Sequence, residues 1–343
     1  MVGDFVPGLE LNAAFYREVV GPLLSPWPHA ACRIGWGSEV LGFDTERSTD
    51  HGWGPHLFVF LDEGVVDGAR DAVDHGLPET FRGWAVRYGW DETPVRHHVV
   101  VTTLRDWLVQ HLGVDASAWL EAMDWLLIPQ QKLLEVTAGA VYRDDGGELA
   151  QLRGRLSWYP EQVWVWMLAA QWRRVAQEEA FVGRTAEVGD DLGSQLVAAR
   201  LCRELMPLWF LFARTYWPYT KWFGSAFALL PDSGRLADAL SSALTAANYA
   251  DRETALTNAY ELVGQRHNDL GLTDEVDPAP RLFYGRPYQV LMADRFVDAC
   301  LARLGDSELR NVPLVGSVDQ VADSTDLLSD AGRSRLLGAL YQR

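Results

Sequence analysis

The sequence predicts an α+β protein, with a small mixed sheet flanked by helices and then a helical bundle. Three observations point there. Three short apolar segments with strand character, Ala31 to Trp36, Leu57 to Leu61 and His97 to Thr103, all fall in the first third of the chain. From about Arg105 onward the strand signal vanishes and apolar residues recur at helical spacing. The change places a boundary near residue 128, giving domains 1–128 and 129–343.

Taken in order, Leu9 to Leu24 reads as a first helix because Leu11, Phe15, Val19, Val20 and Leu23 share one face. The SPWP break at 25–28 ends it. The segment from Gly64 to Tyr88 carries charge on a helical period, and Gly76 and Pro78 divide it into two expected helices. The Val run in HHVVVTT suggests a strand covered on both faces. Helices are then expected over Arg105 to Gly113, Ala116 to Leu127 and Pro129 to Tyr142, with Pro129 suited to a first turn. Pro160 opens a long helix to about Phe181, and Asp191 to Tyr216 forms another. Gly234 to Ala247, Asp251 to Gly271 and Pro287 to Leu304 complete the bundle.

Composition narrows the function. With 343 residues, 48% of them hydrophobic, the chain can bury a large core. A net charge of -17 argues against sequence-independent binding to nucleic acid, which relies on a basic face. No apolar run approaches the ~18 residues of a membrane span, so no membrane association is expected. Cys32, Cys202 and Cys300 fit neither a zinc spacing nor a disulfide framework, which makes a reducing cytoplasm the expected location. Fifteen tryptophans are numerous. Most are expected in a helical core, with a few free to line a pocket for a flat ligand.

The stretch IGWGSEVLGFDTERSTDHGWGPHLFVFLD, Ile34 to Asp62, concentrates the chemistry. An apolar segment ends in Gly37-Ser38, a polar loop carries Asp44 and Asp50, and a strand follows. Gly37 would let the backbone approach a phosphate, and the Ser38 hydroxyl could donate to it. Asp50 could hold Mg²⁺, and His51 could ligate a metal or act as acid or base near neutral pH. Asp44 reads as a loop-structuring residue.

GSEVLGFDTERSTDHGWGP resembles the signature of a bacterial family of unknown function with a nucleotidyltransferase-like N-terminal domain, related to polymerase beta, and a helical C-terminal domain. The resemblance continues in QQKLLEVTAGAVYRDD, WYPEQVWVWMLAAQWRRVAQEEAFVGR, YTKWFGSAF and GSVDQVADSTDLL. It implies transfer of a nucleotidyl group from a nucleoside triphosphate to a small-molecule acceptor, with Mg²⁺ held at Asp50. It further implies Gly37, Ser38 and Lys221 as nucleotide-binding residues, with Arg184 a lesser candidate for that role. Glu178 or Glu179 would be the base acting on the acceptor. His267 is a lesser candidate.

One departure tells against metal chemistry. The family loop reads Asp-His-Asp where this chain has Asp50-His51-Gly52. The strand His97 to Thr103 has no acid, and Val100 falls where a third carboxylate would stand. The alternative is therefore a diverged nucleotidyltransferase that has lost metal-dependent transfer. Such a protein would bind a ligand, or catalyse a metal-free reaction on a small metabolite.

Overall fold

The computed structural model describes residues 5–342. It divides into two compact units. One comprises the residues up to Leu120 together with Gln131–Ser157, and the other Glu121–Gln130 together with the chain from Trp158 onward. The fold is α+β, with a mixed five-stranded sheet flanked by helices in the first unit and a helical C-terminal region.

In the first unit, helix α1 (Gly8–Phe15) runs on through a π turn, Tyr16–Val20, and one further turn. Strands β1 (Ala30–Arg33) and β2 (His56–Phe60) follow, then helix α2 (Val66–Gly76). The chain after Pro78 was expected to be helical. It instead forms a small hairpin, β3 (Thr80–Phe81) and β4 (Trp84–Ala85), and then β5 (Arg87–Trp90). The reason lies in Phe81, Trp84 and Val86, which turn inward onto the core formed by α1 and α2. Burial of those three side chains outweighs the local charge period.

Strand β6 (Thr93–Thr102) and helix α3 (Leu104–Leu112) come next. Helix α4 (Ala122–Leu127) belongs to the second unit. Helix α5 (Gln130–Thr137) then leads to strand β7 (Ala140–Asp144) and helix α6 (Glu148–Arg155). Apolar spacing alone predicts a helix that runs on to Tyr142. Gly139, at φ +72°, stops it, and the β-forming residues of AVYRD pair antiparallel with β1. That pairing returns Gln131–Ser157 to the first unit, so the division differs from the 128/129 boundary expected from sequence.

The sheet order is β5-β6-β2-β1-β7, with β2 and β6 parallel and the other pairs antiparallel. Side chains alternate across it. Leu57, Val59, Val99, Val101 and Ala31 face the core with Leu11, Phe15 and Val73. His56, Phe58, His98 and Val100 share the opposite face through the register pairs His56 with His98 and Phe58 with Val100. Val100 is 39% exposed, so the Val run is not covered on both faces as expected.

The second unit is organised on α7 (Glu161–Glu178), in which every residue from Val163 to Trp172 is buried. Helices α8 (Phe181–Glu187), α9 (Asp191–Phe212), α10 (Thr220–Ala228), α11 (Ser233–Thr245), α12 (Tyr249–Asp269) and α13 (Asp294–Leu304) follow. Trp164, Trp166, Trp172 and Trp209 are core residues here. A buried polar chain threads this core. The Gln320 amide donates to Gln171 Oε1 at 2.9 Å, Gln171 donates to Glu204, and Arg174 grips Glu204 at 2.6 and 2.8 Å.

Candidate functional site

The Gly37-Ser38 bend is shaped by a buried ion pair. Arg33, at the end of β1, is fully buried, and Glu39 is nearly so. Arg33 Nε and Nη2 donate to Glu39 Oε1 at 2.9 and 2.5 Å, and Nη2 also donates to the Trp36 carbonyl at 2.6 Å. Nη1 donates to the Ile34 carbonyl. The loop Ile34–Glu39 is thus wrapped around one guanidinium. Gly37 sits at φ +136°, and a Cβ there would lie 2.4 Å from Arg33 Nη2 and 2.6 Å from Glu39 Oε2. The close backbone approach that this glycine permits is to the chain's own guanidinium. The Ser38 carbonyl accepts from the Phe43 N–H at 2.9 Å, which folds the loop back on itself.

Asp44 accepts from the Gly8 N–H at 2.7 Å and so caps the start of α1. The segment Glu46–Asp50 is a 3₁₀ turn, with Thr45 and Ser48 in a capping box. At its end Asp50 and His51 lie on the surface, 61% and 63% exposed in their side chains. His51 Nδ1 is 2.7 Å from Asp50 Oδ1.

Gly52 adopts φ +62°, and a Cβ there would meet Trp90 at 3.4 Å and Trp36 at 3.5 Å. Those two indoles belong to a closed ring of aromatic contacts. Centroid separations are 5.2 Å for Trp36 to Trp90, 5.1 Å for Trp90 to His98, 5.6 Å for His98 to His56 and 5.2 Å for His56 to Trp36. Burial, with Arg33 and Arg96 as neighbouring positive charges, depresses the basicity of both imidazoles and keeps them neutral. Two of these residues come from the sheet face that also bears Val100.

A third group on this face escaped the sequence reading. Trp107 packs on Phe58 and Phe60, and His111 stacks on Trp107 at 4.6 Å and 11°. His111 Nε2 is 3.1 Å from the buried carboxylate of Glu135, out of line for a hydrogen bond, and Lys132 Nζ is 3.3 Å away. Burial pushes the Glu135 pKa up. His111, Lys132 and the Gln131 amide outweigh it and bring the value down to about 2. The Glu135 carbonyl accepts from the Gly35 N–H at 2.7 Å, which ties α5 to the Gly37-Ser38 bend. The i, i+3 spacing of Lys132 and Glu135 was readable from sequence. The contribution of His111 came only with the fold.

The remaining candidates lie in the second unit. Glu178 pairs with Arg200 at 3.1 Å. Glu179 is buried, and its two oxygens accept from the N–H groups of Leu291, Met292 and Ala293 at 2.7, 3.0 and 2.8 Å. It therefore fastens the turn that leads into α13. Burial outweighs those three donors and raises its pKa to about 7. Arg184 is exposed and lies over the Phe181 ring. Exposed Lys221 has Nζ 4.9 Å from the Trp222 ring centroid. His267 is buried between the Trp172 indole N–H, at 3.1 Å, and Thr273 Oγ1, at 3.0 Å.

The residues present do not fit a two-metal centre, which clamps two ions between shared carboxylates. Asp50 offers one exposed carboxylate, and Gly52 offers none. Among the described residues no three His, Cys, Asp or Glu side chains group as ligands.

Residues 125–223 match a family model described as a domain of unknown function, DUF4037. No curated protein matches the chain. Among solved structures, the chain is similar to a nucleotidyltransferase-like protein from Exiguobacterium sibiricum at 13% identity, over 88% of this chain and 91% of that one. The TM-score is 0.34, too low to establish a shared fold. No helix among the described residues is long and apolar enough to cross a membrane.

Proposed function

We propose that this chain is a small-molecule-binding protein on a diverged nucleotidyltransferase-like scaffold that no longer runs metal-dependent transfer. The observation that carries the reading is the corner at Gly52. Where the resembling family has a second carboxylate, this chain has a left-handed glycine against two indoles. The Gly37-Ser38 bend supports it too, because the buried cation beside that bend is already neutralised by Glu39. Mg²⁺ bridges a triphosphate only when its own ligands are preorganised. A solvated Asp50 paired with His51 supplies no such cage.

Titration calorimetry with Mg²⁺ and each of ATP, CTP, GTP and UTP tests this. The expected result is no Mg²⁺-dependent gain in nucleotide binding, and no change on Asp50→Ala. Micromolar binding of any Mg²⁺–nucleotide that Asp50→Ala abolishes would overturn the reading and restore nucleotidyl transfer.

A further inference from the structure

We infer that the ring of Trp36, Trp90, His98 and His56 is a subsite for a planar heteroaromatic ring, such as a nucleobase or a pyridine carboxamide. The inference rests on the ligand-binding reading above and names the chemistry of the ligand.

Four observations carry it. The four side chains form a closed circuit with every neighbouring pair 5.1 to 5.6 Å apart. Trp36 is 40% exposed and Trp90 half-buried, so indole surface is open to solvent beside the Asp50 loop. Flat rings stack on such faces whatever their substituents. At one corner His56 is 3% exposed, and its Nδ1 is buried without a hydrogen-bond partner. A buried polar atom of that kind favours a ligand with a polar edge over a hydrocarbon. Finally, Arg96 adds a positive charge beside the imidazoles, while the charge of Arg33 is compensated by Glu39. The Arg96 charge disfavours the ammonium ions that aromatic cages otherwise attract. A flat face with a polar rim and no cation preference describes a neutral or anionic heteroaromatic ring. His98 is held for the purpose, since its Nε2 is 3.0 Å from the Tyr88 carbonyl and its ring lies against Tyr88.

The test uses the full chain in EDTA, so that the outcome is independent of Mg²⁺ and triphosphate. Adenine, uracil and nicotinamide are titrated by calorimetry and saturation-transfer NMR. Cyclohexanecarboxamide, which keeps an amide without a flat ring, is the control. At least one ring ligand is expected to bind, at least tenfold better than the control. Trp90→Ala should weaken it roughly ten- to a hundredfold, as loss of one stacking face does, while Trp90→Phe retains most of the affinity. Circular dichroism confirms that each variant is folded. If none of the three rings binds, or if both Trp90→Ala and Trp36→Ala bind as the natural protein does, the inference is wrong. A failure here with no Mg²⁺-dependent nucleotide binding leaves the ligand-binding reading intact, and Mg²⁺-dependent nucleotide binding that Asp50→Ala abolishes overturns that reading instead.

Discussion

Replacing Gly37 by alanine asks whether this glycine serves a bound phosphate or the protein itself. The new methyl would sit 2.4 Å from Arg33 Nη2 and 2.6 Å from Glu39 Oε2, neither of which is the free end of an exposed side chain. Arg33 is held by Glu39 and by the Ile34 and Trp36 carbonyls, so it has nowhere to retreat. Breaking a buried pair outright costs about 3–5 kcal/mol, and displacing it by part of its reach costs roughly half. A non-glycine residue in a left-handed conformation adds about 1–3 kcal/mol. The sum is about 2.5–5.5 kcal/mol, a large share of the ~5–15 kcal/mol that separates a folded domain from its unfolded chain. Gly42→Ala is the matched control, because Gly42 also has positive φ (+73°) but nothing lies within 4 Å of its added Cβ. It should cost only about 1 kcal/mol. Urea unfolding of the natural chain and both variants measures the difference, expected to be at least about 1.5 kcal/mol. If Gly37→Ala unfolds within about 0.5 kcal/mol of Gly42→Ala, the ion-pair account of the bend is refuted.

Three further outcomes are expected. Glu179, which is buried, and Asp319, which is half-buried, have folded pKa values both raised to about 7, so their stabilising contribution is full below their ordinary range near 4 and is lost as pH rises through 7. The buried neutral histidines contribute the opposite slope below about pH 6.5, so the comparison isolates one carboxyl: the thermal midpoint of Asp319→Asn should fall less, or rise more, between pH 5 and pH 8 than that of the natural chain, and an unchanged slope contradicts the assignment. Glu135 has the opposite sign: held near 2 by His111, Lys132 and Gln131 despite its burial, it stabilises above its ordinary value, and that contribution disappears as pH falls toward 2. Glu135→Gln should selectively reduce acid sensitivity, read from unfolding between pH 5 and pH 2. Gln171→Leu strips partners from Glu204 and Gln320 and should cost about 1–3 kcal/mol in urea unfolding; a loss below about 0.5 kcal/mol would mean that water replaces the amide without cost.

Much of the fold was legible because the strongest periodicities were also the buried ones. The α1 stripe, the β2 and β6 runs and the long α7 and α9 helices all follow their hydrophobic spacing. The misreadings have a common cause. At β3–β5 and at β7, short segments with mixed propensity were decided by partners far away in sequence, such as β1 for β7. The candidate site was legible as a stretch of chain but not as an arrangement. Sequence marked Gly37, Asp50 and Gly52 as special, while the reason in each case is a neighbour: Arg33 with Glu39, His51, and Trp36 with Trp90. Trp36 lies on the loop after β1, His56 on β2, Trp90 on β5 and His98 on β6, so no local motif could join them.

The corner at Gly52 also constrains the history open to this chain. An aspartate introduced there by one substitution would emerge against indole faces, where an apolar wall favours its protonated form rather than a bound cation. A charged carboxylate at this corner would be better solvated if Trp36 and Trp90 were smaller side chains. Indole packing and a second carboxylate therefore compete for the same corner.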